Sequence, residues 1–135
     1  LNKLKVIKGE SEMKINIDYV SKEDFEIQPR EIQNILKDYF EGAFGLYQDT
    51  TETIQYGYLT KDRVRFLTEG QLRSYIQNSF AGDVKIELEW SNDGYIVNVV
   101  SSINDEKVYE QYYSLESEPI KAYWYAVLEI IKEGI

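Results

Sequence analysis

The chain has 135 residues, enough for one domain with a substantial core, and 24 acids against 15 bases give it a formal charge of −9. It contains neither histidine nor cysteine. This excludes a Ser-His-Asp triad, a Cys-His pair, a disulfide framework and the usual zinc sites. At 43% hydrophobic and 14% aromatic residues, composition argues against disorder and for a folded core.

The opening residues read as a strand, Leu4 to Ile7, and a polar turn. Met13 to Tyr19 alternates like a second strand, with Ile15, Ile17 and Tyr19 on one face. Lys8-Gly-Glu-Ser-Glu ahead of Met13, the only methionine, has the form of a translated purine-rich ribosome-binding site. On that reading residues 1–12 are not part of the natural chain. Ser21 to Gln28 reads as an acidic connector carrying Phe25 and Ile27. Pro29 then suits the first turn of a helix over about 30–47. Its apolar face runs through Ile32, Ile35, Leu36, Tyr39, Phe40, Ala43, Phe44 and Tyr47. Gly42 and Gly45 weaken the end of that helix.

Asp49 to Thr53 is expected as a loop, and Thr53 to Leu59 with Arg63 to Leu67 as a hairpin through Thr60-Lys61-Asp62. Thr68 and Gln71 have capping-box spacing at the start of a helix over about 69–80, striped by Leu72, Tyr75, Ile76 and Phe80. Residues 84–116 then read as a three-strand meander. Val84 to Trp90 alternates apolar and charged residues, Ser91 to Gly94 turns, and Tyr95 to Ile103 returns rich in β-branched residues. Asn104 to Lys107 turns again into Val108 to Leu115. A last helix over about 118–133 carries a wide apolar stripe, so it must be covered, by the sheet or by a second copy through Tyr123 and Trp124. The expected fold is a single α+β domain over 1–135: a mainly antiparallel sheet (meander, hairpin and N-terminal strand) packed by three helices.

Charge is unevenly placed. Residues 83–119 hold nine acids against two bases, a net −7, while residues 1–82 come to −2 and residues 120–135 to zero. Such a field argues against direct nucleic-acid binding and for a basic partner, although acidic surfaces also serve solubility. No apolar run approaches the length of a membrane span, and the chain as it stands shows no signal peptide, so a cytoplasmic location is expected.

The chemistry left open by composition is thin. Glu87 and Glu89 fall on one face of a strand, roughly 6.5–7 Å apart by strand rise, a separation that suits an acid/base pair acting through water. Alternating glutamates on a wet strand are ordinary, however, and no apolar pocket is indicated to tune either one. The acidic turns lack the pattern of a calcium loop, and no phosphate-binding glycine motif occurs. Arg63, Arg65 and Arg73 form a candidate anion site, against which ordinary surface pairing is the simpler account. The expectation is a protein that is not an enzyme and holds no cofactor or metal.

Twelve tyrosines are more informative. Tyr109, Gln111, Tyr113 and Leu115 share one face of the last strand, and Val108, Glu110, Tyr112 and Ser114 the other. Tyrosine beside acid provides rigid aromatic anchors within a field that steers a basic protein. The functional expectation is therefore a non-catalytic binding protein of inhibitor, immunity or phage anti-defence type, from an AT-rich Gram-positive source or its mobile elements. Its expected contact residues are Glu87, Glu89, Glu110, Tyr109, Tyr112 and Tyr113. The alternative is an accessory domain of a larger assembly, a homodimer or a small-ligand pocket. The helix-then-meander order resembles the nuclear-transport-factor-2-like fold, from which the closing helix departs.

Overall fold

The computed structural model describes residues 4–8, 11–15, 18–48 and 53–135. The expected loop at 49–52 and the face expected for Ile15 and Ile17 lie outside the described residues. The fold is α+β, and the chain divides into two compact units, Leu1–Thr68 and Glu69–Ile135.

In the first unit β1 (Leu4–Lys8) pairs antiparallel with β2 (Ser11–Ile15). Tyr19, expected to extend that second strand, instead forms an isolated bridge with Thr68. The expected connector contains a short helix, α1 (Lys22–Glu26). Ser21 caps it by accepting the Asp24 N–H at 3.1 Å, and Phe25 is buried beneath it. α2 (Arg30–Phe40) buries Ile32, Leu36 and Phe40 along one face.

The helix expected to reach Tyr47 ends at Phe40. Gly42 takes a φ of +83°, a left-handed conformation that reverses the chain, and its N–H bonds the Leu59 carbonyl at 2.8 Å. Phe44 and Tyr47, which match the helical spacing, lie instead on β3 (Phe44–Gln48). β3 pairs antiparallel with β4 (Ile54–Tyr58). The expected partner of that strand, Arg63 to Leu67, is a 3-10 turn at Lys61–Arg63 followed by a single bridge from Phe66 to Leu46. The strand order is β2-β1-β4-β3, with β1 and β4 parallel, so the N-terminal strands and hairpin form a sheet separate from the meander. Leu46 and Phe66 centre a small core with Tyr19, Ile54 and Tyr56 against them.

The second unit follows the expected order closely. α3 (Glu69–Asn78) buries Leu72 and Ile76. β5 (Asp83–Ser91), β6 (Gly94–Ile103) and β7 (Glu106–Tyr113) form an antiparallel meander in the order β5-β6-β7. Asn104 and Asp105 both have positive φ, 50° and 66°, as a two-residue hairpin turn of matching twist requires. α4 (Pro119–Gly134) packs against α3, β6 and β7. Tyr123 and Trp124, expected as a dimer surface, are both buried, and the Arg73 guanidinium sits 5.8 Å above the Tyr123 ring. They are core residues, because a helix apolar around most of its circumference is already covered within this chain.

Gly94 is where the meander closes. Its φ is +145°, and an added Cβ would meet the Leu115 carbonyl carbon at 2.5 Å, where the chain leaving β7 crosses back over the first hairpin. Tyr95 N–H donates to the Glu116 carbonyl at 2.8 Å in the same crossing. Gly94→Ala is expected to lose on the order of 1–3 kcal/mol in denaturant unfolding through strain and overpacking. A midpoint unchanged from wild type would contradict this packing.

Candidate partner-binding surface

Side chains alternate across a strand, so register decides which residues share a face. In the β5–β6 ladder Glu87 lies opposite Asn98 and Glu89 opposite Ile96; in the β6–β7 ladder Asn98 lies opposite Gln111, Val100 opposite Tyr109 and Ile96 opposite Tyr113. Glu87, Glu89, Tyr109 and Tyr113 therefore share one face. All four are exposed, Tyr109 at 66% and Tyr113 at 58%.

A chain of hydrogen bonds crosses this face from edge to edge. The Tyr113 hydroxyl donates to Gln111 Oε1 at 2.6 Å, Gln111 Nε2 donates to Asn98 Oδ1 at 2.8 Å, and Asn98 Nδ2 donates to Glu89 Oε1 at 2.9 Å. Every donor in it has a defined acceptor, and its last acceptor is a carboxylate. Charge-assisted bonds are the stronger kind, so the glutamate end anchors the chain. Such a network restricts four side chains of the free protein, which would lower the ordering cost of any binding at this face. Asn98 and Gln111 are the residues that the sequence reading did not single out as contacts. The signal lay in their pairing across the central strand, which becomes visible once register is known.

Two of the six expected contact residues lie on the opposite face. Val99 pairs with Glu110 and Val97 with Tyr112, and Val97 and Val99 are fully buried on the side that α4 covers. Glu110 is nevertheless exposed at the edge. Tyr112 is 5% exposed, so it is a core residue and not a contact. Adjacent tyrosines on a strand necessarily point to opposite faces, and only Tyr113 points to the open one.

The Tyr112 hydroxyl is buried and has no hydrogen-bond partner among the described residues. Burial raises its pKa far above the ordinary tyrosine value, and the carboxylates of Glu133, Glu110 and Glu129 raise it further. Elsewhere the candidate residues disperse. Arg63 stacks on the Tyr47 ring at 4.2 Å, Arg65 pairs with Glu26 at 3.9 Å, and Arg73 lies over Tyr123, so each of the three is engaged within its own unit. A hollow of about 420 Å³ between α2 and the 3-10 turn is lined by Asn34, Lys37, Asp38, Lys61 and Asp62. It is open to solvent, and Lys61 is already paired with Asp38 at 3.0 Å and Glu41 at 3.8 Å.

No match is found among protein-family models, curated proteins or solved structures. The surface must be read from its own chemistry. Among the described residues no helix is long and apolar enough to cross a membrane.

Because the folded-state pKa of Tyr112 lies above the unfolded value of about 10, its contribution to stability is complete below pH 10 and is lost as pH rises beyond it. Tyr112→Phe removes both this alkaline loss and the unsatisfied hydroxyl. The variant is expected to match or exceed wild-type stability at neutral pH, by up to about 1 kcal/mol, and to show a flatter decline in alkali. Chemical denaturation across pH 8–12 reads both effects, and a variant markedly less stable than wild type would contradict the assignment.

Proposed function

We propose that the protein is a non-catalytic binding module that captures a basic protein through the open face of its meander. The observation that carries the reading is the convergence, on one uncovered sheet face, of Glu87, Glu89, Tyr109 and Tyr113, tied together by the Tyr113–Gln111–Asn98–Glu89 chain. The segment around it, residues 83–119, carries nine acids against two bases. Exposed tyrosines supply contact area at low ordering cost, and surrounding carboxylates raise the rate at which a cationic partner arrives. Capture of this kind suits a protein that inhibits or neutralises its partner by occupying it, as an immunity or anti-defence protein does. Glu110, exposed on the rim of β7, adds to the field without belonging to the contact face.

A pull-down from the source organism at low salt, eluted with rising salt, identifies the partner as a basic protein released by screening. With that partner in hand, reversing Glu87→Lys and Glu89→Lys together is expected to slow association by about tenfold or more and to flatten its salt dependence. The thermal unfolding midpoint should stay close to wild type, since both side chains point to water. Association and salt dependence unchanged by the double reversal would overturn the reading.

A further inference from the structure

The meander has two edges, and they differ. β5 has α3 packed against it and places Asp83, Lys85, Glu87 and Glu89 at alternate positions, a familiar guard against strand pairing. β7 has no strand beyond it among the described residues, and residues 106–111 are exposed without interruption. Its ladder to β6 is continuous from Ile96↔Tyr113 to Ile103↔Glu106, with no bulge, and the strand contains no proline.

The phase of the ladder is fixed by Ser114, whose N–H donates to the Tyr95 carbonyl at 3.2 Å. Hydrogen-bonded pairs alternate along an antiparallel ladder. Glu106, Val108, Glu110 and Tyr112 therefore turn their peptide groups toward β6, and Lys107, Tyr109, Gln111 and Tyr113 turn theirs outward. The outward-turned residues are also those whose side chains lie on the open face, so backbone and side-chain recognition are offered together.

We propose that the partner docks by strand addition: an extended segment with lysine or arginine at alternate positions pairs with the outer edge of β7. This deepens the basic-partner reading and rests on it. The segment exchanges backbone hydrogen bonds with Lys107, Tyr109, Gln111 and Tyr113, and its basic side chains lie beside Tyr109 and Tyr113. A cation over a tyrosine ring is a pairing this chain already makes, with Arg63 4.2 Å from the centre of Tyr47. Charge selects this occupant over a second copy, which would bring two segments of net −7 edge to edge.

The test uses the whole chain and a synthetic peptide of alternating lysine and valine, read by residue-resolved amide hydrogen exchange. At a peptide concentration of about 100 Kd, exchange at Lys107, Tyr109, Gln111 and Tyr113 is expected to slow by about 100-fold, with Val108, Glu110 and Tyr112 unchanged. Gln111→Pro, which removes one outward N–H, is expected to weaken peptide binding about fivefold to tenfold relative to Gln111→Ala. If the peptide binds and perturbs Glu87 and Glu89 without protecting the outward amides, strand addition is overturned while the basic-partner reading stands. The same holds if the peptide fails to bind but the salt-eluted basic protein is still captured. Equal protection by a glutamate–valine peptide, or concentration-dependent protection with no peptide present, overturns the choice of a basic occupant, the latter in favour of a second copy. Failure of both the peptide and the basic protein to bind overturns the underlying reading as well.

Discussion

The second unit depends on the two-sidedness of β6. As the central strand it has every peptide group paired, and alternation sends Val97 and Val99 to the side beneath α4 while Asn98 and Val100 face the other way. Burial of one face against an apolar helix fixes the register, because a one-residue slip would expose the valines and bury Asn98 and Glu89. The open face is thus a consequence of the covered one. The open face is positioned by the core and needs no loop to hold it.

Polar order on the open face follows from the same register. Glu89, Asn98, Gln111 and Tyr113 come from three strands, yet their hydrogen bonds run as one chain because register puts them on one face: Gln111 lies directly opposite Asn98, Asn98 reaches diagonally to Glu89, and Tyr113 reaches back along β7 to Gln111. In water each bond is of modest net worth, so the chain adds little to stability. Its effect is to reduce the freedom of groups that a partner would otherwise have to order. Under the proposed function, acidic charge would act at longer range, on the rate of arrival, and the exposed tyrosines at contact.

Much of this was legible in the sequence, and the reasons are specific. Asn and Asp at 104–105 and Gly94 mark the turns, and strict alternation from Val84 to Glu89 sets Glu87 and Glu89 on one face with the charged residues. Three things were not legible. Phe44 and Tyr47 fit a helical stripe as well as a strand, and only the positive φ of Gly42 and the pairing with β4 decide between them. The expected N-terminal additions to the meander form a sheet of their own, since long-range pairing leaves little local signal. On β7 both faces carry aromatic residues, so which of Tyr112 and Tyr113 is covered depends on where α4 lands.

The most direct measurement is the rate of tyrosine nitration at each position, mapped by mass spectrometry on the free protein and on its complex with the salt-released partner. The account predicts that Tyr109 and Tyr113 react first in the free protein, that Tyr112 and Tyr123 are protected by burial, and that the partner shields Tyr109 and Tyr113. Reaction of Tyr112 as fast as Tyr109 would mean the sheet is covered on the wrong face. Undiminished reaction of Tyr109 and Tyr113 in the complex would mean that the open face is not where the partner binds.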